Sequence, residues 1–126
     1  EERRAQLLMD LSLNLKGLVS QRLLPRQEGA GRIAAVEIMI NSPLISDLIF
    51  KGDVPEIKEI MKRSRELGMQ TFDQSLFDLY EANQVTLEDA LRNADSVNDL
   101  RLQIKLNSSR ARNTDLAAGT EHMSLV

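Results

Sequence analysis

The sequence predicts a mainly α-helical chain interrupted by one β-hairpin, and three observations carry that reading. Leucines recur at spacings of three and four near the start, two apolar runs flank a glycine-containing turn, and the rest is punctuated by residues that begin and end helices.

Leu7, Leu8, Leu11, Leu15, Leu18 and Val19 make one apolar stripe and predict an amphipathic helix over 1–20, weakened modestly by Gly17. Next, "QRLLPR" and "RIAAVEIMI" have strand character and flank "QEGAG", whose Gly29 and Gly31 permit the positive backbone angles of a tight turn. A β-hairpin over 21–41 follows. Pro25 has no N–H to give to a ladder, so the first strand should lie at a sheet edge or bulge there.

From 42 to 106 the pattern predicts a bundle of short helices, each announced by its cap. Ser42 precedes Pro43, and Gly52 closes that helix. Asp53 with Glu56 opens the next, which runs to Gly68. Thr71 with Gln74 then has the spacing of a capping box, in which each side chain satisfies a backbone N–H that the helix start leaves unpaired. Thr86 with Asp89 and Ser96 with Asp99 mark two further starts. Ile57, Ile60, Met61 and Leu67 form one apolar stripe; Phe72, Leu76, Leu79 and Tyr80 form another; Leu87, Ala90, Leu91, Leu100 and Ile104 continue the set. Stripes at this spacing are core rather than ligand pockets. The stretch 107–126 loses the periodicity, gains small and polar residues, and is expected to be a disordered tail.

At 126 residues the expectation is one domain, with a core built from aliphatics because aromatics are only 3%. Net charge is −3, so there is no basic field to attract nucleic acid. Cysteine is absent, which excludes disulfides and thiolate metal sites. No apolar run approaches the length of a membrane span, and "EERRAQ" is not a signal sequence. His122, the one histidine, has no partner for a triad or metal site. "GAG" lacks the lysine and hydroxyl of a phosphate loop. Paired carboxylates such as Glu88 and Asp89 fall at helix starts, where the macrodipole favours them. Lys58, Lys62, Arg63 and Arg65 read as a solvated basic face near a helix C-terminus. Catalytic, cofactor and metal residues are therefore assigned to none.

The ordered motifs "VSQRLLPRQEGAGRIAAVEIMINSPLISDLI" and "ELGMQTFDQSLFDLYEANQVTLEDALRNADSVNDLRLQIKL" resemble the twitching-motility ATPases of the PilT/PilU family, which retract type IV pili. The resemblance runs from Glu1 to Leu106, and the ending "ALRNADSVNDLRLQIKL" is similar to the PilU branch. It implies that the chain is the C-terminal portion of a RecA-like ATPase domain, cut from its nucleotide core. The implied parent is a hexameric ring, cytoplasmic and peripheral to the inner membrane, using ATP and magnesium. Its implied partners are a PilT-like retraction ATPase and the inner-membrane pilus platform protein. The piece itself is expected to bind no cofactor and to hydrolyse no ATP.

Family members carry a retraction-linked helix reading AIRNLIRE, and the matching positions here are Leu44, Ile45, Ser46, Asp47, Leu48, Ile49, Phe50 and Lys51. Both arginines of that motif are replaced, by Ser46 and Phe50, and its glutamate by Lys51. The implied function is a regulatory and assembly segment that relays nucleotide state within a retraction motor; the alternative is a free-standing helical interaction module. If "RIAAVEIMI" belongs to a larger sheet, its bare edge should drive the isolated piece to a dimer or larger species.

Overall fold

A computed structural model describes residues 2–113. The chain runs through α1 (Glu2–Asn14), β1 (Gly17–Pro25), β2 (Arg32–Ile40), α2 (Pro43–Lys51), α3 (Val54–Arg63), a 3₁₀ turn (Arg65–Leu67), α4 (Phe72–Glu81), α5 (Leu87–Arg92) and α6 (Val97–Asn107). The described residues are mostly helical with a single antiparallel hairpin, in agreement with the sequence.

The boundary between the first helix and the hairpin differs from expectation. Helix α1 ends at Asn14, and Gly17 already belongs to β1, so the predicted helix over 1–20 is too long and the hairpin over 21–41 starts too late. Leu18 and Val19 fit a helical and a strand period equally well, and partner length decides between them. β2 offers nine residues, and β1 matches all of them from Gly17↔Ile40 to Pro25↔Arg32. Pro25 sits on an edge strand, where the missing N–H leaves no gap in the ladder.

β2 is covered on its other side by the same chain. Ile38 exchanges backbone hydrogen bonds with Gln70 at 2.8 and 2.9 Å, while Val36 donates to Ser75 Oγ at 3.0 Å and accepts from Gln70 Nε2 at 2.7 Å. This corrects the expectation that "RIAAVEIMI" presents the bare edge. Gln70, the extended residue just before the cap of α4, bonds the middle of that edge at Ile38 and Val36, and among the described residues no partner bonds the outward side of β1.

One face of the hairpin carries the core. Leu24 and Ala35 join Phe72, Leu76, Tyr80, Val85, Ala90, Leu100 and Ile104 in one cluster, while Met39 joins Ile45, Ile49, Met61 and Met69 in a second. Leu67 and Leu87, assigned to core stripes by spacing, are exposed. For Leu67 the reason is local: Ser64 ends α3, its hydroxyl donating back to Ile60 O at 2.6 Å, and the 3₁₀ turn rotates Leu67 off the stripe before Gly68.

The side chains of Ser42, Asp53, Thr71, Thr86 and Ser96 each accept from the backbone N–H three residues on. At Thr71 the bond is reciprocal: Gln74 N donates to Oγ1 at 3.2 Å and Thr71 N to Gln74 Oε1 at 3.0 Å. Gln74 also donates to Lys62 O at 2.9 Å, so the box ties α4 back to α3.

The expected disordered tail is corrected over its described part. Residues 109–113 form a further helical turn, Ser108 is fully buried, and its hydroxyl donates to Glu81. Arg110 stacks on Tyr80 with Cζ 4.3 Å from the ring centroid, donates to Tyr80 O and Val85 O, and reaches Gln27 at 2.6 Å. These polar anchors carry no apolar periodicity and were invisible to pattern reading. His122 and the rest of the tail lie outside the described residues.

Candidate functional site

Helix α2 begins where Ser42 Oγ accepts from Ile45 N at 3.2 Å and ends at Gly52, whose φ of 71° suits glycine. Nine residues on this frame divide by face. Ile45, Leu48 and Ile49 are buried, and two of them enter the methionine-rich cluster. Ser46 points at α1, its hydroxyl donating to Ser12 O, and Asn41 Nδ2 donates to Leu15 O at 2.5 Å. These bonds fix α2 against the C-terminal turn of α1, whose last carbonyls would otherwise lack partners.

Leu44, Asp47, Phe50 and Lys51 face outward. Phe50 is 51% exposed and Leu44 52%, with Lys51 bonded to Asp47 at 2.8 Å one turn earlier. The hydrogen bond to Asp47, with that carboxylate's charge, holds Lys51 above the ordinary lysine range. Phe50, Pro43, Met9 and Leu13 line one shallow concavity, and Leu13 is 74% exposed. The eight positions of the retraction-type motif thus split three ways: an inward apolar set, one hydroxyl that fastens the helix, and an outward face mixing apolar groups with an ion pair. The two positions occupied by arginine in that motif do different work here, Ser46 holding α1 and Phe50 offering apolar surface.

The leucines of α1 contribute less to the core than their stripe implies. Leu8, Leu11, Leu15 and Leu18 line a largely apolar cavity of about 310 Å³ with Met39, Ile49, Ile57 and Met61. Leu7 and Leu13 remain exposed.

A second constellation joins residues far apart in sequence. Lys58 Nζ lies 2.8 Å from Glu37 and 3.1 Å from Asp95, and Arg22 lies 2.7 Å from the same aspartate and 2.6 Å from Asn93 O. Both cations cover Phe72, Arg22 Cζ at 4.0 Å and Lys58 Nζ at 5.8 Å from the ring centroid. Burial opposes the charge on Lys58, but its bonds to Glu37 and Asp95 outweigh that and raise it above the usual lysine range. Burial likewise pushes Asp95 up, but Arg22 and Lys58 draw its carboxyl below the usual carboxylate range. The basic face read from the sequence is therefore divided: Lys58 turns inward, Arg65 pairs with Asp78, and Arg63 comes only within 4.0 Å of Glu56. The only sequence signal for the network was charge at strand positions Arg22 and Glu37, where apolar residues dominate.

In the glycine turn, Gly29 and Gly31 have φ of 82° and 94°, and nothing lies within 4 Å of a Cβ placed on either. The described residues hold no cluster of three or more His, Cys, Asp or Glu suited to a metal. No described helix is long and apolar enough to cross a membrane.

Over 107 residues the chain is 58% identical to the type IV pilus ATPase PilU of Pseudomonas aeruginosa, a match covering 85% of this chain and 28% of PilU. The chain belongs to the PilT/PilU family of pilus ATPases. The type IV pilus retraction ATPase PilT of the same organism is 36% identical over 93 residues, covering 74% of this chain and 27% of PilT. A crystal structure of the pilus retraction motor PilT with bound ADP matches with a TM-score of 0.65 at 33% identity, over 77% of this chain and 26% of that one. The chain thus spans little more than a quarter of these PilT/PilU-family relatives. No family model matches it.

Proposed function

We propose that the chain is the regulatory and assembly segment of a hexameric, PilU-like motor that assists type IV pilus retraction. In this reading it relays nucleotide state to ring neighbours, to a PilT-like retraction ATPase and to the inner-membrane pilus platform. It belongs to the C-terminal part of the longer protein, at the cytoplasmic face of the inner membrane. ATP and magnesium chemistry lies in the rest of that protein, and this segment neither binds nucleotide nor turns it over.

The outward face of α2 supports the reading. Leu44, Asp47, Phe50 and Lys51 stand at positions of the family's retraction-type helix, and Phe50 is half exposed while Ile45, Leu48 and Ile49 are buried. A large apolar group beside a fixed ion pair is the composition of a contact anchor. Because the helix is pinned to α1 through Ser46 and Asn41, a push on this face is passed to a packed neighbour rather than lost in a loop.

The test substitutes Phe50→Ala with Lys51→Ala in the longer protein and measures pilus retraction. Loss of one anchor of this type costs about 1–2 kcal/mol, roughly tenfold in contact affinity. Retraction should fall with expression and thermal melting unchanged. Wild-type retraction in the double variant removes this face from the mechanism.

A further inference from the structure

The hairpin tip and the turn that joins α4 to α5 are distant in sequence, yet one short segment holds both. Gln27 N donates to Gln84 O at 2.8 Å and Arg26 Nη1 to Gln84 Oε1 at 3.3 Å, which seats the tip on that turn. Arg110 bridges the same junction. Its guanidinium donates to Tyr80 O at 2.8 Å and Val85 O at 2.9 Å, and its other arm to Gln27 Oε1 at 2.6 Å. In return Glu81, the last residue of α4, accepts from the Ser108 hydroxyl and from Ser109 N at 3.2 Å. A cation from the C-terminal turn thus meets carbonyls where α4 ends, and a carboxylate from α4 meets the donors where the C-terminal turn starts. Each charge suits the dipole it faces. Ser108 Oγ also accepts from Ala111 N at 3.0 Å, and Ala111 packs against the larger core cluster.

We propose that residues 108–113 form a latch with two hands, Glu81 and Arg110, which opens or closes as one unit and, when closed, ties the hairpin tip to the end of α4. A segment this short cannot hold a helical turn by itself, so its order comes from these contacts. Each hand depends on the other. Arg110 is placed over Tyr80 only while the turn that Glu81 starts is wound, and the donors of Ser108 and Ser109 reach Glu81 only while Arg110 keeps the turn against α4. Losing either hand therefore releases both, and Gln27 loses the donor that holds its side chain. Three acceptors on separate parts of the chain call for the flat fork of a guanidinium, which the point charge of a lysine does not supply. All these contacts are made within the chain, so the latch needs neither an uncovered surface nor a second copy. Its consequence is a coupling: drawing the C-terminal turn off Tyr80 frees the hairpin tip, 83 positions earlier in the sequence.

Hydrogen exchange followed by mass spectrometry on the longer protein tests this, with segment 108–113 reporting the latch, 26–31 the hairpin tip and 73–79 the core of α4. Arg110→Ala and Glu81→Ala should each speed exchange about tenfold in both 108–113 and 26–31 while leaving 73–79 unchanged, because the latch opens well below the free energy of global unfolding. The two changes together should do no more than either alone, as expected of one unit rather than two independent bonds. Arg110→Lys should act like Arg110→Ala at 26–31. Unchanged exchange in either single variant, or a change confined to 108–113, overturns the tie to the hairpin. Effects that multiply in the double variant overturn the two-handed unit, and full protection of 26–31 in Arg110→Lys overturns the role given to the guanidinium fork. Faster exchange in 73–79 makes the segment part of the global core and overturns the latch itself.

Discussion

Replacing Lys58 with methionine tests the polar network where hairpin and helices meet. Methionine keeps the side-chain stem, so the change removes charge and donors with little loss of packing. Glu37, whose side chain is 12% exposed, loses its one charged partner among the described residues, and a hydrogen bond to a charged group is worth about 1.5–3 kcal/mol. Asp95 keeps Arg22 at 2.7 Å and is one-third exposed, so its share is screened to a few tenths of a kcal/mol. The total is about 2 kcal/mol. Asp95→Asn leaves the bond between Lys58 and Glu37 intact and should cost less, about 0.5–1 kcal/mol.

Urea unfolding at one fixed, low protein concentration measures both, since any dimer would add its own stability. With a slope of about 1.5 kcal/mol per molar, Lys58→Met should lower the midpoint by about 1.3 M. The pH dependence has a defined sign. Asp95 lies below its ordinary 3.8, so its contribution is complete above that value and is lost as pH falls through the depressed one. Lys58 lies above its ordinary 10.5, so its contribution is complete below that value and is lost as pH rises through the elevated one. The cost of Lys58→Met should therefore be flat from about pH 5 to 10 and shrink at either extreme. A midpoint shift below about 0.3 M at pH 7, or a cost that grows on acidification, would refute the reasoning.

Thr71→Ala breaks a buried capping box and should destabilise by about 1 kcal/mol, read as the same urea midpoint; in the longer protein the ATPase rate per folded molecule should hold. Leu76 is fully buried in the larger cluster, and Leu76→Ala should cost about 3 kcal/mol, whereas Leu67→Ala, at an exposed site, should change stability by less than about 0.5 kcal/mol. A fluorescent ATP analogue titrated to tens of micromolar should show no saturable binding to this chain; saturation would place a nucleotide site within it.

Much of the local structure was legible because it is decided locally. A cap side chain reaches only three residues along the chain, so Ser42, Asp53, Thr71, Thr86 and Ser96 mark helix starts without knowledge of anything distant. The hairpin turn is equally local, because Gly29 and Gly31 adopt backbone angles that other residues avoid. The motif order placed α2 in its family context, but periodicity alone did not divide that helix into a buried side and an outward one bearing Phe50.

The remaining features depend on partners that proximity in sequence does not supply. Leu18 and Val19 suit a helix or a strand, and only the length of β2 made them strand. Gln70 carries no strand signal by itself, yet β2 recruits it at Ile38. Arg22, Glu37, Lys58 and Asp95 belong to four different parts of the chain and become one network only when the helices close over the hairpin. Arg110 and Ser108 look like tail until their polar groups meet Tyr80, Val85 and Glu81. Sequence alone therefore determined the caps, the turn and the family, where the energy is set by near neighbours; tertiary structure decided register, edge and network, where it is set by contacts across the fold.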